Sequence, residues 1–338
     1  MPSHISDHIK TAGDLAKKVT SGLDTQNTND VALEIFQLQA RHVPVYRSYI
    51  EELGVDPYGI TSVDQIPYLP ISMFKRYEVL MEGALVDIDF YSSGTTSGNK
   101  SMHRVSDLKL YENSCLNTFS NFIEPPEGLC ILALLPNYID QSGSSLIYMV
   151  GLFMDQSGHP DNGFFLDQFD KLEKKLEALE KSRQNTLLIG IPYALLDFFE
   201  KRKFNLKHTM IMETGGMKGR RKEMVRNELH AWLKKRTGLD RIYSEYGMTE
   251  LLSQAYSTGN GIFKCPPWMR VRIREVSDPL SEARPGKSGG IDIMDLANAY
   301  SCCFISTMDL GRDLGDGNFE MLGRFDNSDV RGCNLLVQ

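Results

Sequence analysis

Between Tyr91 and Ser101 the chain reads Tyr91-Ser92-Ser93-Gly94-Thr95-Thr96-Ser97-Gly98-Asn99-Lys100-Ser101. Its hydroxyls and glycine-loosened backbone N–H groups are donors suited to a polyphosphate, and Lys100 adds a point charge. A Walker loop requires G-x-x-x-x-G-K-[ST]. Counted from Gly94, Lys100 and Ser101 fall in place, but Asn99 stands where the second glycine must admit phosphate to the backbone. The following Met102-His103-Arg104-Val105 is β-prone, whereas a Walker loop opens a helix. The match to a P-loop NTPase thereby fails. A plain surface loop and a different phosphate loop remain, and the surroundings must separate them.

Working outward, Leu85–Tyr91 alternates like a strand running into this loop. Cys130–Leu135, Thr186–Ile191 and Thr209–Met212 are apolar runs of buried-strand type, the last closing on Thr214-Gly215-Gly216. Between them Phe169, Leu172, Leu176 and Leu179 share one helix face, and Met224, Leu229, Trp232 and Leu233 another. Residues 5–54 also read helical, with Val31, Ile35 and Leu38 at helical spacing. Strands alternating with helices predict an α/β fold with mostly parallel sheets flanked by helices, and ligands at the strand ends. From about residue 268 the pattern turns to alternating apolar and polar residues over Met269–Val276 and Gly290–Asp295, with a short run Phe319–Leu322. Residues 1–267 are therefore expected as an α/β core and 268–338 as a smaller β-rich part.

The 338 residues carry a net charge of -7 and a pI of about 5.6, which argues against a nucleic-acid surface. The N-terminus has no apolar signal-peptide core. The longest apolar run, Leu146–Met154, is too short to span a bilayer. A soluble, cytoplasmic protein is expected. Six cysteines without a CxxC pair point to neither structural zinc nor a disulfide framework.

Three later segments carry chemistry. Tyr243-Ser244-Glu245-Tyr246-Gly247-Met248-Thr249-Glu250 puts a hydroxyl beside a carboxylate at a strand end, a pairing suited to a phosphate oxygen and Mg²⁺. Alone it is also an ordinary turn before a helix. Ser306-Thr307-Met308-Asp309-Leu310-Gly311-Arg312 places an Asp at an expected strand-to-turn junction, where it serves as a ribose acceptor or a turn cap. Leu322-Gly323-Arg324-Phe325-Asp326 then leads to Arg331-Gly332-Cys333.

Together and in this order, these motifs resemble the adenylate-forming superfamily of acyl-CoA synthetases, luciferases and peptide-synthetase adenylation domains. Its signature runs SGTTG-x-P-K, YG-x-TE, an Asp-Gly segment and GR-x-D. The chain is most similar to the LuxE branch of acyl-protein synthetases, through SSGTTSG with His103 soon after, Leu134-Leu135-Pro136-Asn137-Tyr138, Thr214-Gly215-Gly216-Met217-Lys218-Gly219 and Arg331-Gly332-Cys333. Ser97 and Asn99 depart from the superfamily loop. The chain ends five residues past Cys333, so the superfamily's C-terminal domain with its catalytic lysine is expected to be absent.

The resemblance implies the adenylate-forming N-terminal-domain fold, with ATP and Mg²⁺ activating a carboxylic acid of fatty type to an acyl-adenylate. It implies phosphate contacts from Ser92, Ser93, Gly94, Thr95, Thr96 and Lys100. It places Gly215, Gly216 and Met217 at adenine, and Tyr246, Gly247 and Thr249 along the nucleotide. Asp309 falls to ribose, Arg324 to ribose or phosphate, and Glu250 to Mg²⁺. It also implies acyl transfer to Cys333 and on to an acyl-reductase or acyl-carrier protein. Cys333 also reads as a packed terminal cysteine beside Leu335 and Leu336. His103 reads either as a group acting near the adenylate or as a satisfied loop histidine. Two other outcomes stay open: transfer to CoA or a carrier protein, and a non-catalytic binding protein that kept the fold.

Overall fold

A computed structural model describes residues 7–21, 28–92, 100–136, 143–166, 168–215, 224–276, 278 and 280–325. The first helices are α1 (Asp7–Thr20), α2 (Thr28–His42) and α3 (Pro44–Glu52). Helix α2 buries Val31, Ala32, Ile35 and Phe36 on one face, and α3 opens on Pro44, whose fixed φ suits a first helical turn. Then follow the two-residue β1 (Leu69–Pro70) and the hairpin strands β2 (Ile88–Tyr91) and β3 (Met102–Val105). Strand β2 is shorter than the alternating pattern predicts: Leu85 is 83% exposed, and strand pairing begins only at Ile88 opposite Val105.

Next come α4 (Leu108–Phe122), β4 (Cys130–Leu134), α5 (Ser145–Ser157), β5 (Gly163–Phe164), α6 (Phe169–Ser182), β6 (Thr186–Gly190), α7 (Pro192–Glu200), β7 (Thr209–Thr214), α8 (Arg226–Thr237) and β8 (Tyr243–Tyr246). The apolar runs of β4 and β6 are buried throughout, as parallel strands covered on both faces require. Leu172, Leu176 and Leu179 are the buried face of α6. Met224 lies before α8 rather than on it, because Val225 is extended and caps the helix.

The remaining strands are β9 (Ala255–Ser257), β10 (Ile262–Lys264), β11 (Met269–Arg274), β12 (Ser288–Asp295), β13 (Phe304–Gly315) and β14 (Asn318–Arg324). One mixed sheet runs in the order β11-β12-β13-β14-β10-β9-β8-β7-β6-β4-β5. From β5 to β8 the neighbours are parallel, and from β8 to β11 they are antiparallel. The sheet is continuous across residue 267, since β10 pairs with β14. Asp309 is found inside β13, opposite Arg324 of β14, rather than at a strand-to-turn junction. The ladder shifts register just beyond it, between Leu310 and Gly311, which reconciles a turn-like sequence with a long strand. Among the described residues no helix is long and apolar enough to cross a membrane.

Candidate active site

Three pieces of backbone converge at the C-terminal ends of β7 and β8. The first is the β2–β3 hairpin. Past the last strand pair, Tyr91 with Met102, the base is closed twice. Ser92 N–H donates to the Ser101 carbonyl at 3.0 Å. Ser101 N–H donates to Ser92 Oγ, also at 3.0 Å. Ser92 is thus part of the closure. Ser93, Gly94, Thr95 and Thr96 lie outside the described residues, as do Gly216, Met217 and Cys333. Lys100 is exposed and lines an open cleft of about 460 Å³ with Lys75, Tyr77, Tyr91 and Met102.

The second piece follows β7 and β8. These strands pair in register through Thr214 and Glu245, so Gly215 and Tyr246 are the next residues on each. Gly215 adopts φ 74°, a left-handed conformation that favours glycine, and no described residue comes within 4 Å of where a side chain would stand. Tyr246 is buried against the rings of Phe263 and Phe319, and its hydroxyl needs a partner. That partner is Asp309 Oδ2 at 2.9 Å.

The third piece is the β13–β14 ladder. Arg324 Nε lies 3.1 Å from Asp309 Oδ1. Burial pushes the Asp309 carboxyl upward, and Arg324 and Tyr246 oppose that shift. The Arg324 side chain is 73% exposed, so among the described residues its guanidinium keeps donors open to solvent. Glu250 is buried, which pushes its carboxyl upward; a hydrogen bond from Ser101 and the charges of Arg324 and Lys75 counter this. Tyr246, Asp309 and Arg324 are thus in direct contact across strand end and ladder, and the Glu250 carboxyl, bonded to Ser101 of the hairpin, feels the Arg324 charge.

Glu250 bears on the implied magnesium. No group of three or more His, Cys, Asp and Glu side chains surrounds it among the described residues. One carboxylate, disfavoured by burial when ionised without a cation, fits an ion that arrives on phosphate oxygens rather than in a protein cage.

His103 faces inward. It is 1% exposed, with Nδ1 2.9 Å from the Thr249 carbonyl and Nε2 3.0 Å from Ser301 Oγ. A carbonyl only accepts, so Nδ1 carries the hydrogen and Nε2 accepts from Ser301. Burial pushes the imidazole down to about 4, with the Thr249 bond opposing, so the ring is neutral near pH 7.

The motifs did not disclose what supports this loop from behind. Asn298 Nδ2 donates to the Glu250 carbonyl at 2.8 Å. The buried Asp295 accepts from the Leu252, Ser253 and Ala297 N–H groups and from the Ser253 hydroxyl. Gly247 is pressed from the side, since a Cβ there would stand 2.4 Å from Glu245 Oε1. Asp295 ends an alternating run, which is a signal for a strand-end cap; Asn298 and Ser301 give none.

The sequence matches the family described as acyl-protein synthetase, LuxE, over residues 3–338. The chain belongs to the LuxE family. It is 24% identical over 333 residues to the long-chain-fatty-acid–luciferin-component ligase of Aliivibrio fischeri, covering 90% of this chain and 86% of that one. A crystal structure of 2-hydroxyisobutyryl-CoA ligase with 2-hydroxyisobutyryl-AMP and CoA superposes with a TM-score of 0.65 at 13% identity, covering 88% of this LuxE chain and 70% of that one. ATP-bound MatB from Rhodopseudomonas palustris gives 0.52 at 19% identity, covering 72% and 49%. The fold is the adenylate-forming one, and this LuxE-family chain is an acid–thiol ligase. Among its described cysteines Cys115, Cys130, Cys302 and Cys303 are buried, and burial pushes each thiol upward, Cys130 and Cys302 to about 12. None of these four is poised as a thiolate.

Proposed function

We propose that the enzyme activates a carboxylic acid with ATP and then passes the acyl group to Cys333 before a partner protein receives it. A carboxylate oxygen attacks the α-phosphorus, and the bond from that phosphorus to the bridging oxygen breaks. Pyrophosphate leaves with the electron pair. The Cys333 thiolate then attacks the acyl carbon, the carbon–oxygen bond to AMP breaks, and AMP departs.

The observation that carries this reading is the contacting trio Tyr246, Asp309 and Arg324, with Glu250 bonded to Ser101 and within the field of Arg324. Two anions must meet in the first step, so positive charge has to be fixed beforehand. Lys100 and Arg324 supply it from the protein. Asp309 accepts the ribose hydroxyls while Tyr246 fixes its orientation. Gly215 brings backbone close to the base. The Thr249 hydroxyl bonds the α-phosphate, its carbonyl pinned behind by His103. Glu250 would hold Mg²⁺ shared with the phosphates, and the ion would add charge at the departing pyrophosphate. Burial pushes the thiols of Cys115, Cys130, Cys265, Cys302 and Cys303 all upward, away from the reactive thiolate, which favours Cys333 as the nucleophile of this reading.

The test is pyrophosphate exchange and intact-mass measurement with ATP, Mg²⁺ and a panel of acids. The expected result is exchange plus an acyl adduct that disappears in Cys333→Ala. Exchange without an adduct transfers the second step to CoA or a carrier thiol. No exchange with any acid refutes adenylation and leaves a binding protein.

A further inference from the structure

The open cleft beside the hairpin carries charge that the reaction as derived so far does not use. Three cations stand in its lining: Lys75, Arg76 and Lys100. All three are exposed, and none is salt-bridged among the described residues. The acidic residue of the lining, Glu78, is held by Arg104 at 3.0 Å. The cleft is therefore positive in a chain whose net charge is -7. A cleft lined by one sign of charge focuses its field on a ligand of the other sign.

Its two walls come from different parts of the chain, and both are tied to the candidate active site. Lys100 stands at the base of the β2–β3 hairpin, next to Ser101, whose N–H is bonded to Ser92 Oγ. Lys75 ends the helical turn Ile71–Lys75. That turn follows β1 directly, and β1 pairs with β13 at Leu69 opposite Ile305 and at Pro70 opposite Ser306, three residues before Asp309. Phe74 holds the turn from inside, 1% exposed and with its ring 5.6 Å from that of His103. The Arg76 and Tyr77 N–H groups close the turn on the Met73 carbonyl at 3.0 and 2.9 Å. Lys75 thus rises from a fixed stem while its head stays in solvent. Its charge is felt by the buried Glu250.

Three cations on facing walls exceed what one carboxylate needs and suit a small polyanion. The proposed reaction produces such an anion beside the hairpin. We infer that this cleft receives the pyrophosphate half of ATP, with Lys75 and Arg76 on one wall and Lys100 on the other. The inference rests on the adenylation reading and extends it to the leaving group. As the bond from the α-phosphorus to the bridging oxygen breaks, its electron pair goes to that oxygen. The Lys75 ammonium meets the charge gained there, and no proton is transferred. Arg76 takes the outer phosphate with its planar fork of donors. Cations fixed before the step stabilise this charge without reorganising during it. The open mouth of the cleft then lets the product escape to solvent.

The experiment is ATP–pyrophosphate exchange by the full chain with Mg²⁺ and the acid of the panel that exchanges fastest. Inorganic pyrophosphate and acid are varied in turn. Lys75→Met keeps the stem and removes the charge. The half-saturating pyrophosphate is expected to rise at least tenfold and the forward kcat to fall at least tenfold, while the half-saturating acid changes less than twofold. Lys75→Arg should bring the pyrophosphate value back to within about threefold of the unmodified enzyme. Arg76→Met should shift it in the same direction as Lys75→Met, and covers misfolding of that variant. A parallel rise in pyrophosphate and acid values overturns the inference, because it marks a disturbed hairpin rather than a lost leaving-group contact. Unchanged pyrophosphate values in both Met variants also overturn it and leave adenylation standing. No exchange by the unmodified enzyme with any acid overturns both readings.

Discussion

Replacing His103 tests whether the buried side of the site governs its front. His103→Leu keeps bulk against Phe74, whose ring centroid is 5.6 Å away, but removes both polar contacts. The Thr249 carbonyl and the Ser301 hydroxyl then lose their ring partners in the interior. Each loss costs about 1–3 kcal/mol, so roughly 2–6 kcal/mol of stability goes. A domain with about 5–15 kcal/mol survives this, but with little margin. His103→Asn restores a donor near the Nδ1 position, facing Thr249. His103→Gln reaches the Nε2 position instead, facing Ser301. Both should melt at similar temperatures, having lost one bond each. Only the Asn variant still pins the loop that carries Thr249 and Glu250. Pyrophosphate exchange is therefore expected to be at least tenfold faster in Asn than in Gln, with most of the difference in kcat. Equal exchange in the two variants would refute the positioning argument and leave His103 as packing alone.

The same residue sets a pH dependence. Its folded value of about 4 lies below the ordinary 6.5, so the unfolded chain binds the proton more readily. Stability from this group is full above about pH 6.5 and is lost as pH falls toward 4, by up to about 3 kcal/mol. Denaturant unfolding of His103→Asn should show a flatter slope across that window; an unchanged slope would assign the acid loss to other groups. Asp309→Asn keeps the shape but removes the charge facing Arg324; we expect KM for ATP to rise about tenfold or more, and an unchanged KM would remove Asp309 from the nucleotide. Glu250→Gln should lower exchange about 100-fold and move the Mg²⁺ titration midpoint upward; retention of both would place the metal elsewhere. Gly247→Ala puts a methyl 2.4 Å from Glu245 Oε1, and overpacking of this kind costs about 1–3 kcal/mol. Glu245→Asp should restore part of the lost melting temperature in that background, and no restoration would mean the strain lies in the backbone.

Sequence reading found the parallel half of the sheet because β4, β6 and β7 are uninterrupted apolar runs, and periodicity is a local property. It ended β13 at Asp309 because Asp309, Gly311, Arg312 and Asp313 break the alternation, whereas the rest of that strand is fixed by two neighbours and a register shift. The front of the site was legible in the same way. Tyr246, Thr249, Glu250, Asp309 and Arg324 sit in short motifs whose order resembles that of a known family, so they stand out as candidates before any contact is known.

The rear was legible only at His103, which already read as a candidate satisfied histidine, and the reason is physical. His103, Asn298 and Ser301 answer carbonyls and hydroxyls rather than a ligand, and those partners are remote: His103 and Thr249 are 146 positions apart, Asn298 and Glu250 48. A carbonyl can be satisfied by any donor that arrives in the right place, so residue type carries no signature of the task. The division follows exposure. Arg324 stays mostly in solvent, as the proposed contact with an incoming nucleotide requires. His103 and Asp295 are buried because a loop bearing charge must be held where water cannot compete for its hydrogen bonds. Substitutions in front should therefore change substrate and metal dependence, and those behind should change turnover and its coupling to stability.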